Sequence, residues 1–198
     1  MLASLLPLAC PGCGRSADPL CRDCERALLP APRVPPPPGV ERWAAPFAYE
    51  GVARELIARV KYRRQHAATA WLAGAMAPLA WPPLPSVVTW VPTTRARRRE
   101  RGFDHAELLA KAVAARLGRT AKPLLRRGPG GPQTGRDAAE RRDGPALVAR
   151  ARVPEAILVV DDVATTGASL AAAARALRAA GAERVDALTA ARTPLRPG

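Results

Sequence analysis

Ile157-Leu158-Val159-Val160-Asp161-Asp162-Val163-Ala164-Thr165-Thr166-Gly167-Ala168-Ser169-Leu170 is the stretch that decides the fold. Four consecutive apolar residues, three of them β-branched, predict a strand buried on both faces, as the central strand of a parallel α/β sheet is. Asp161 and Asp162 follow at its carboxyl end, the edge where open α/β sheets bind their ligands. Beyond Val163 and Ala164 come three hydroxyls (Thr165, Thr166, Ser169) and Gly167, and a helix predicted over 168–180 opens at Ala168. Glycine lets a backbone turn tightly or approach a ligand closely, successive N–H groups make an anion-binding concavity, and the positive helix end faces the same spot. An anion fits this turn, the two carboxylates above it can accept hydrogen bonds from vicinal ribose hydroxyls, and a divalent metal carried by the ligand would offset their charge. The stretch therefore reads as a cradle for a ribose 5-phosphate. A plainer alternative is a buried strand closed by an Asp-Asp cap and a Thr-Gly turn. Magnesium binding for a nucleoside triphosphatase lacks its usual companion, because the sequence contains no glycine-rich Gly-Lys-Ser/Thr loop.

The 198 residues suit one medium α/β domain with a small appendage. The formal net charge of +14, from 31 basic and 17 acidic residues, favours phosphate-rich partners. Only three of the basic residues are lysines (Lys61, Lys111, Lys122), and Ala and Pro are also abundant, so arginine content partly reflects compositional bias. Residues 1–9 are apolar but lack a basic leader and are too short for a secretory core or a membrane span. Every other apolar run is interrupted by Pro, Arg or Gly. The expectation is a soluble, cytoplasmic protein with no membrane insertion.

All four cysteines fall in two Cys-x-x-Cys pairs, Cys10 with Cys13 and Cys21 with Cys24, seven residues apart. Four thiolates in two knuckles read as a closed structural zinc site, with Gly12 and Gly14 allowing the turns and Arg15, Arg22 and Arg26 offsetting the anionic cluster. Two redox dithiols or disulfides are the alternative, disfavoured in a cytosolic chain with no thioredoxin-like context.

The expected organisation is a double zinc-finger-like module of four cysteines over 1–28, a proline-rich tether over 29–44 and an α/β domain over 45–198. Residues 29–38 hold six prolines and form an extended tether or covering arm. A short strand is predicted over 45–49, and helices over 52–64 and 67–80 form a hood at 52–80. A strand over 87–92 leads into the loop 93–102, then a helix over 103–117. Lying at a strand's end, the arginine-rich loop with Thr93, Thr94, Arg95 and Arg101 is a candidate pyrophosphate clamp, or else a solvated charge run. A strand near 122–126 precedes a Gly/Arg/Gln-rich lid over 127–144, and the last strand covers 184–191 after Gly181. Alternating strands and helices imply a parallel sheet with right-handed crossovers. His66 and His105, the only histidines, read as polar surface residues rather than general bases.

The stretch around Asp161 resembles the phosphoribosyl-pyrophosphate (PRPP) signature of type I phosphoribosyltransferases. The order of the remaining motifs is similar to the ComF-type competence proteins of that superfamily. The paired Cys-x-x-Cys, Ile57 to Tyr62 ending in Lys61-Tyr62, Val91-Pro92 before Arg101-Gly102-Phe103, and Gln133 with Arg141 carry the likeness. The chain departs from that family at Asp104 and His105, where Asn and Gln are usual, and at Asp143-Gly144. An added carboxylate at Asp104 would repel a diphosphate, which argues against a ligand contact there.

The resemblance implies a parallel-sheet type I phosphoribosyltransferase fold, PRPP with Mg²⁺ as substrate, and a structural Zn²⁺ on Cys10, Cys13, Cys21 and Cys24. Asp161 and Asp162 would hold the ribose, and the turn from Val163 and Ala164 through Thr165, Thr166, Gly167, Ala168 and Ser169 the 5-phosphate. Thr93, Thr94, Arg95 and Arg101 would hold the diphosphate, with Arg136 and Arg141 closing from the lid and Lys61 reaching from the hood. It also implies a second function, a competence accessory that binds single-stranded DNA beside a helicase and keeps the PRPP pocket without catalysis.

Overall fold

The computed structural model describes residues 9–17, 19–62, 66–128 and 144–194. A five-residue helix α1 (Arg22–Arg26) belongs to the cysteine module. It is followed by strands β1 (Arg42–Ala44) and β2 (Phe47–Ala48) and helices α2 (Gly51–Tyr62) and α3 (His66–Met76). Then come β3 (Val87–Trp90), α4 (Arg95–Arg101), α5 (His105–Leu117), β4 (Thr120–Ala121), β5 (Leu125–Arg127) and β6 (Leu147–Ala149). The chain closes with β7 (Ala156–Ala164), α6 (Ala168–Ala179) and β8 (Arg184–Arg192).

The main sheet runs β1-β8-β7-β3-β4, with β2 also on β8, and every pairing in it is parallel. The expected parallel α/β architecture is what the chain adopts, with β7 at the centre. Along β7 successive side chains serve opposite faces, as the two-residue strand period requires. Leu158 and Val160 join Leu72, Met76 and Leu109 in one apolar layer. Ile157 and Val159 join Leu170, Ala174 and Leu177 in the other. The helices expected as a hood thus pack onto the face that α5 also covers. Helix α6 covers the opposite face. It ends where the Gly181 N–H bonds the Arg178 carbonyl and the Ala182 N–H the Leu177 carbonyl, with Gly181 at φ +105°.

Four expectations change. The arginine-rich stretch is not a loop: α4 forms because the Thr94 side chain accepts from the Arg97 N–H at its start and Gly102 ends it at φ +76°. Residues 42–44, expected at the end of the tether, pair as β1 with Asp186, Ala187 and Leu188. The strand expected near 122–126 divides between β4, which joins the main sheet, and β5. β5 pairs antiparallel with β6, which was not expected at all, and this ribbon brackets residues 129–143.

The proline-rich segment is a covering arm. The Val34 carbonyl accepts from the Arg192 guanidinium, Gly39 accepts from Arg178, and buried Pro37 lies against Gly167. Arg192 is itself 4% exposed and sits 3.9 Å over the Trp43 ring, so its charge is held by a π face and a carbonyl rather than by water. Among the described residues no helix is long and apolar enough to cross a membrane.

Candidate active site

Strand β7 outruns its neighbour. It pairs with β3 only as far as Val160 opposite Trp90, but with β8 through Ala164 opposite Arg192. Past Val160 the β3 side of β7 is open, and the chain leaving β3 turns away through Pro92 into α4. The gap holds a cavity of about 280 Å³ lined by Thr93, Arg97, Arg101, Arg127, Asp161 and Asp162, among others. A second cavity of about 270 Å³ lies at the head of α6, walled by Asp161 and the turn from Val163 to Leu170. Asp161, Val163 and Ser169 line both, so the two are compartments of one cleft. Together they fall in the range of about 300–1,000 Å³ usual for small-molecule sites.

The turn owes its shape to Gly167 at φ +76°, which caps α6 with no side-chain hydrogen bond of its own. The Thr166 hydroxyl accepts from the Ala168 N–H at 3.3 Å, while Thr165 and Thr166 are exposed and Ser169 half-buried. The N–H groups of a helix's first turn have no intrahelical acceptor and point out of its start, here into the smaller cavity. The two carboxylates divide between the faces of β7. Asp161 borders the α6 turn and its Oδ1 accepts from the Asp162 N–H at 2.9 Å. Asp162 meets α5, where its Oδ2 lies 3.2 Å from His105 Nδ1.

Of the residues expected at a diphosphate clamp, Thr93 and Arg101 line the larger cavity. Thr94 and Arg95 line neither: Thr94 is occupied as the cap of α4, and Arg95 is exposed on the outer side of that helix. Once residues 95–101 are helical, Arg97 and Arg101, four apart, share a face toward the cavity. The site also contains Arg97 and Arg127, which were not assigned to it, and His105, which was read as a surface residue. His105 corrects the expectation of a surface histidine, being 4% exposed. Arg127 is anchored by its Nε donating to the Pro92 carbonyl at 3.0 Å. Arg136, Arg141 and Gln133 lie outside the described residues, as do the side chains of Lys61 and His66. Gly144, where the described chain resumes, rests against the Ala168 carbonyl at the head of α6.

Asp104 is an architectural residue. Its Oδ1 accepts from the Ala106 N–H and its Oδ2 from the Thr93 N–H, capping α5 and tying it to the β3 end. Burial raises its pKa above the usual carboxylate value, against the opposing pull of those N–H donors.

No protein-family profile matches the chain, and no curated protein matches it. Solved structures do. The chain is similar to the allosteric regulatory enzyme of purine biosynthesis, with 22% identity over 63% of this chain and 26% of that one and a TM-score of 0.45. It is similar to a purine phosphoribosyltransferase from Pyrococcus horikoshii Ot3, with 17% identity over 68% and 79% of the two chains and a TM-score of 0.40. An orotate phosphoribosyltransferase from Aeropyrum pernix is similar at 23% identity over 69% and 62%, also at 0.40. The chain spans about a quarter of the length of the first of these.

The cysteines form a separate cluster. Their four sulfurs lie within 4.8 Å of one another, and none is in a disulfide. Tetrahedral bonds of about 2.3 Å to a common ion place sulfurs about 3.8 Å apart, so the cluster is sized to hold a metal. The Cys13 and Cys21 sulfurs are 3.6 Å apart. The Arg15 Nε–H on Cys13 lowers that thiol to about 6, while burial pushes Cys24 up to about 12. For Cys10, burial is outweighed by N–H groups of Cys21, Cys13 and Gly12, which hold the thiol below its ordinary value. The module docks on α2 through Arg59, which donates to the Cys10 carbonyl, and through Gly12, which faces Val52.

Proposed function

We propose that this chain binds PRPP with Mg²⁺ and transfers the phosphoribosyl group to an acceptor, releasing diphosphate. The carrying observation is the two-compartment cleft, an amide-lined turn at a helix start and an arginine-lined pocket, with Asp161 where they meet and Asp162 in the arginine-lined pocket. In this reading the 5-phosphate takes the turn from Thr165 to Ser169, the ribose diol meets the two carboxylates, and the diphosphate faces Arg97, Arg101 and Arg127. Mg²⁺, held by the oxygens of the ligand, offsets part of the diphosphate charge. The bond from C1 to the diphosphate oxygen breaks as the acceptor approaches, and charge collects on both fragments. Guanidinium groups set on one face of α4, with Arg127 anchored on the Pro92 carbonyl, stabilise that charge. No protein nucleophile is needed. The roles expected of Lys61, Arg136 and Arg141 rest on the sequence alone, as do the ComF-type assignment, the link to DNA uptake and the identity of zinc in the cysteine cluster.

The test is calorimetric titration of PRPP with Mg²⁺ into wild type, Asp161→Asn and Asp162→Asn. Each substitution removes a charged acceptor worth about 1.5–3 kcal/mol, so affinity falls about 10- to 100-fold. Equal affinity in all three proteins defeats the proposal. Pyrophosphate release on adding candidate acceptors then separates a transferase from a binding protein. A second reading, single-strand binding by the outer face of α4, is favoured by one observation, the exposure of Arg95, Arg98 and Arg99. It predicts affinity that falls steeply with salt and with Arg98→Ala plus Arg99→Ala.

A further inference from the structure

The geometry points to His105 as a positioning residue that fixes Asp162 for a ribose diol, so that the cleft distinguishes a ribosyl phosphate from bare diphosphate. The inference rests on the PRPP reading and adds to it a role for His105, which the sequence presents only as a surface histidine and a departure from the family pattern. His105 opens α5 and is 4% exposed, with Nδ1 at 3.2 Å from Asp162 Oδ2. An ionised carboxylate only accepts, so Nδ1 carries the proton in this contact. The other ring nitrogen, Nε2, is buried with no hydrogen-bond partner among the described residues. A position that needed only filling would hold an apolar side chain. The contact of the buried ring with Asp162 is thus the hydrogen bond that sets its orientation.

The role of the ring follows from β7. Asp161 and Asp162 are consecutive, so their side chains leave opposite faces of β7 and each is met by a different partner. Asp161 is tied to the backbone by the Asp162 N–H, whereas Asp162 is met from across the cleft by the α5 imidazole, 57 residues away in sequence. The imidazole fixes the direction of the Asp162 carboxylate at the wall of the larger cavity, which His105 itself lines. Bare diphosphate, which shares that cavity with Asp162, has no hydroxyl to donate to the carboxylate and gains nothing from its direction. A ribosyl ligand gains from it.

The experiment compares wild type, His105→Leu and His105→Asn by calorimetry with three probes, each with Mg²⁺: PRPP, ribose 5-phosphate and inorganic pyrophosphate. Leucine fills the space without a donor, and the asparagine amide places one near the Nδ1 position. The expected result is a loss of about 10-fold for PRPP and ribose 5-phosphate in His105→Leu, recovery to within about 3-fold in His105→Asn, and pyrophosphate binding unchanged within about 2-fold throughout. Equal loss for all three probes, or no loss, overturns the positioning role while leaving the PRPP reading intact. A wild type that binds pyrophosphate but neither ribosyl probe overturns that reading and this inference with it. Should the leucine variant fail to fold, two-bond ¹⁵N spectra of the wild-type imidazole decide: a proton on Nδ1 supports the contact, and its absence overturns it.

Discussion

Gly167→Ala tests whether the proline-rich arm is truly seated on the phosphate turn. The glycine adopts φ +76°, and a Cβ there would lie 2.6 Å from Pro37 Cγ and 3.2 Å from Pro37 Cβ. Left-handed backbone costs a non-glycine residue about 1–2 kcal/mol. Forcing a methyl into an occupied space adds about 1–3 kcal/mol, so the single substitution costs about 2–5 kcal/mol. Pro37→Ala removes the Cγ and Cδ atoms, two methylenes of buried packing, at a cost of about 1.5 kcal/mol. In the double variant the backbone strain persists but the collision with Cγ is gone. The combined loss should therefore fall short of the sum of the single losses by about 1–2 kcal/mol, a coupling that independent sites do not show. Urea unfolding of the four proteins at one temperature, with unchanged m values, measures it. Additivity within about 0.5 kcal/mol would refute the docked arm and leave only the strain at Gly167.

In chelator at pH 7, alkylation followed by mass spectrometry should label Cys13 first, because Arg15 holds its thiol at about 6, and Cys24 last, because burial holds it at about 12; added zinc should protect all four. Labelling of Cys24 ahead of Cys13 would contradict the geometry of the cluster. Asp104 gives a pH test: burial raises its pKa in the folded chain, so the folded state binds the proton more tightly, and its contribution to stability is greatest below about 3.9 and declines as pH rises through the folded value. The stability of wild type relative to Asp104→Asn, read from urea midpoints at pH 3.5 and pH 7, should thus shrink with rising pH, and a widening gap would reverse the sign. Asp186 is 1% exposed and bound through both oxygens by Arg42, at 2.9 and 2.6 Å, with Arg184 at 3.5 Å. Arg42→Leu leaves that buried carboxylate with its lesser partner and should cost about 2–4 kcal/mol, more than Arg184→Leu; equal losses would overturn the ranking.

Strand β7 and helix α6 were legible because their signals are local. An apolar run fixes the strand, and glycines at 167 and 181 punctuate the helix at both ends. Helix α4 was misread although its caps were visible. Six basic or acidic side chains among its seven residues drew attention to charge, while Thr94 and Gly102 carried the structural information. The site changes accordingly: a loop would make Arg95 a neighbour of Thr93, whereas the helix sets Arg97 and Arg101 on the cavity and leaves Arg95 off it. β6 has only three residues, and its partner lies on the far side of residues 129–143, so no local period marks it. His105 and Pro37 could not have been placed from sequence. Each acquires its role by packing against a residue far along the chain, Asp162 and Gly167, and neither contact leaves a pattern in its own neighbourhood.

The cleft follows from unequal strand lengths. In a parallel sheet each strand's carboxyl end faces the same edge, so a central strand that continues past one neighbour opens a notch on that side only. Here β3 stops opposite Val160 while β8 accompanies β7 to Ala164, and the notch is walled by whatever follows β3, namely α4 and the start of α5. The notch therefore receives guanidinium groups from one side, carboxylates from the strand itself and helix-start amides from α6, three chemistries drawn from three separate segments. Lengthening β3's pairing would bring backbone into the space that Asp162 and Arg101 border. That makes the end of β3 a structural control on the site: the Thr93 N–H bond to Asp104 ties the chain there to the start of α5, and Asp104→Ala, which loses that bond, should weaken PRPP binding in calorimetry, an unchanged affinity refuting the control.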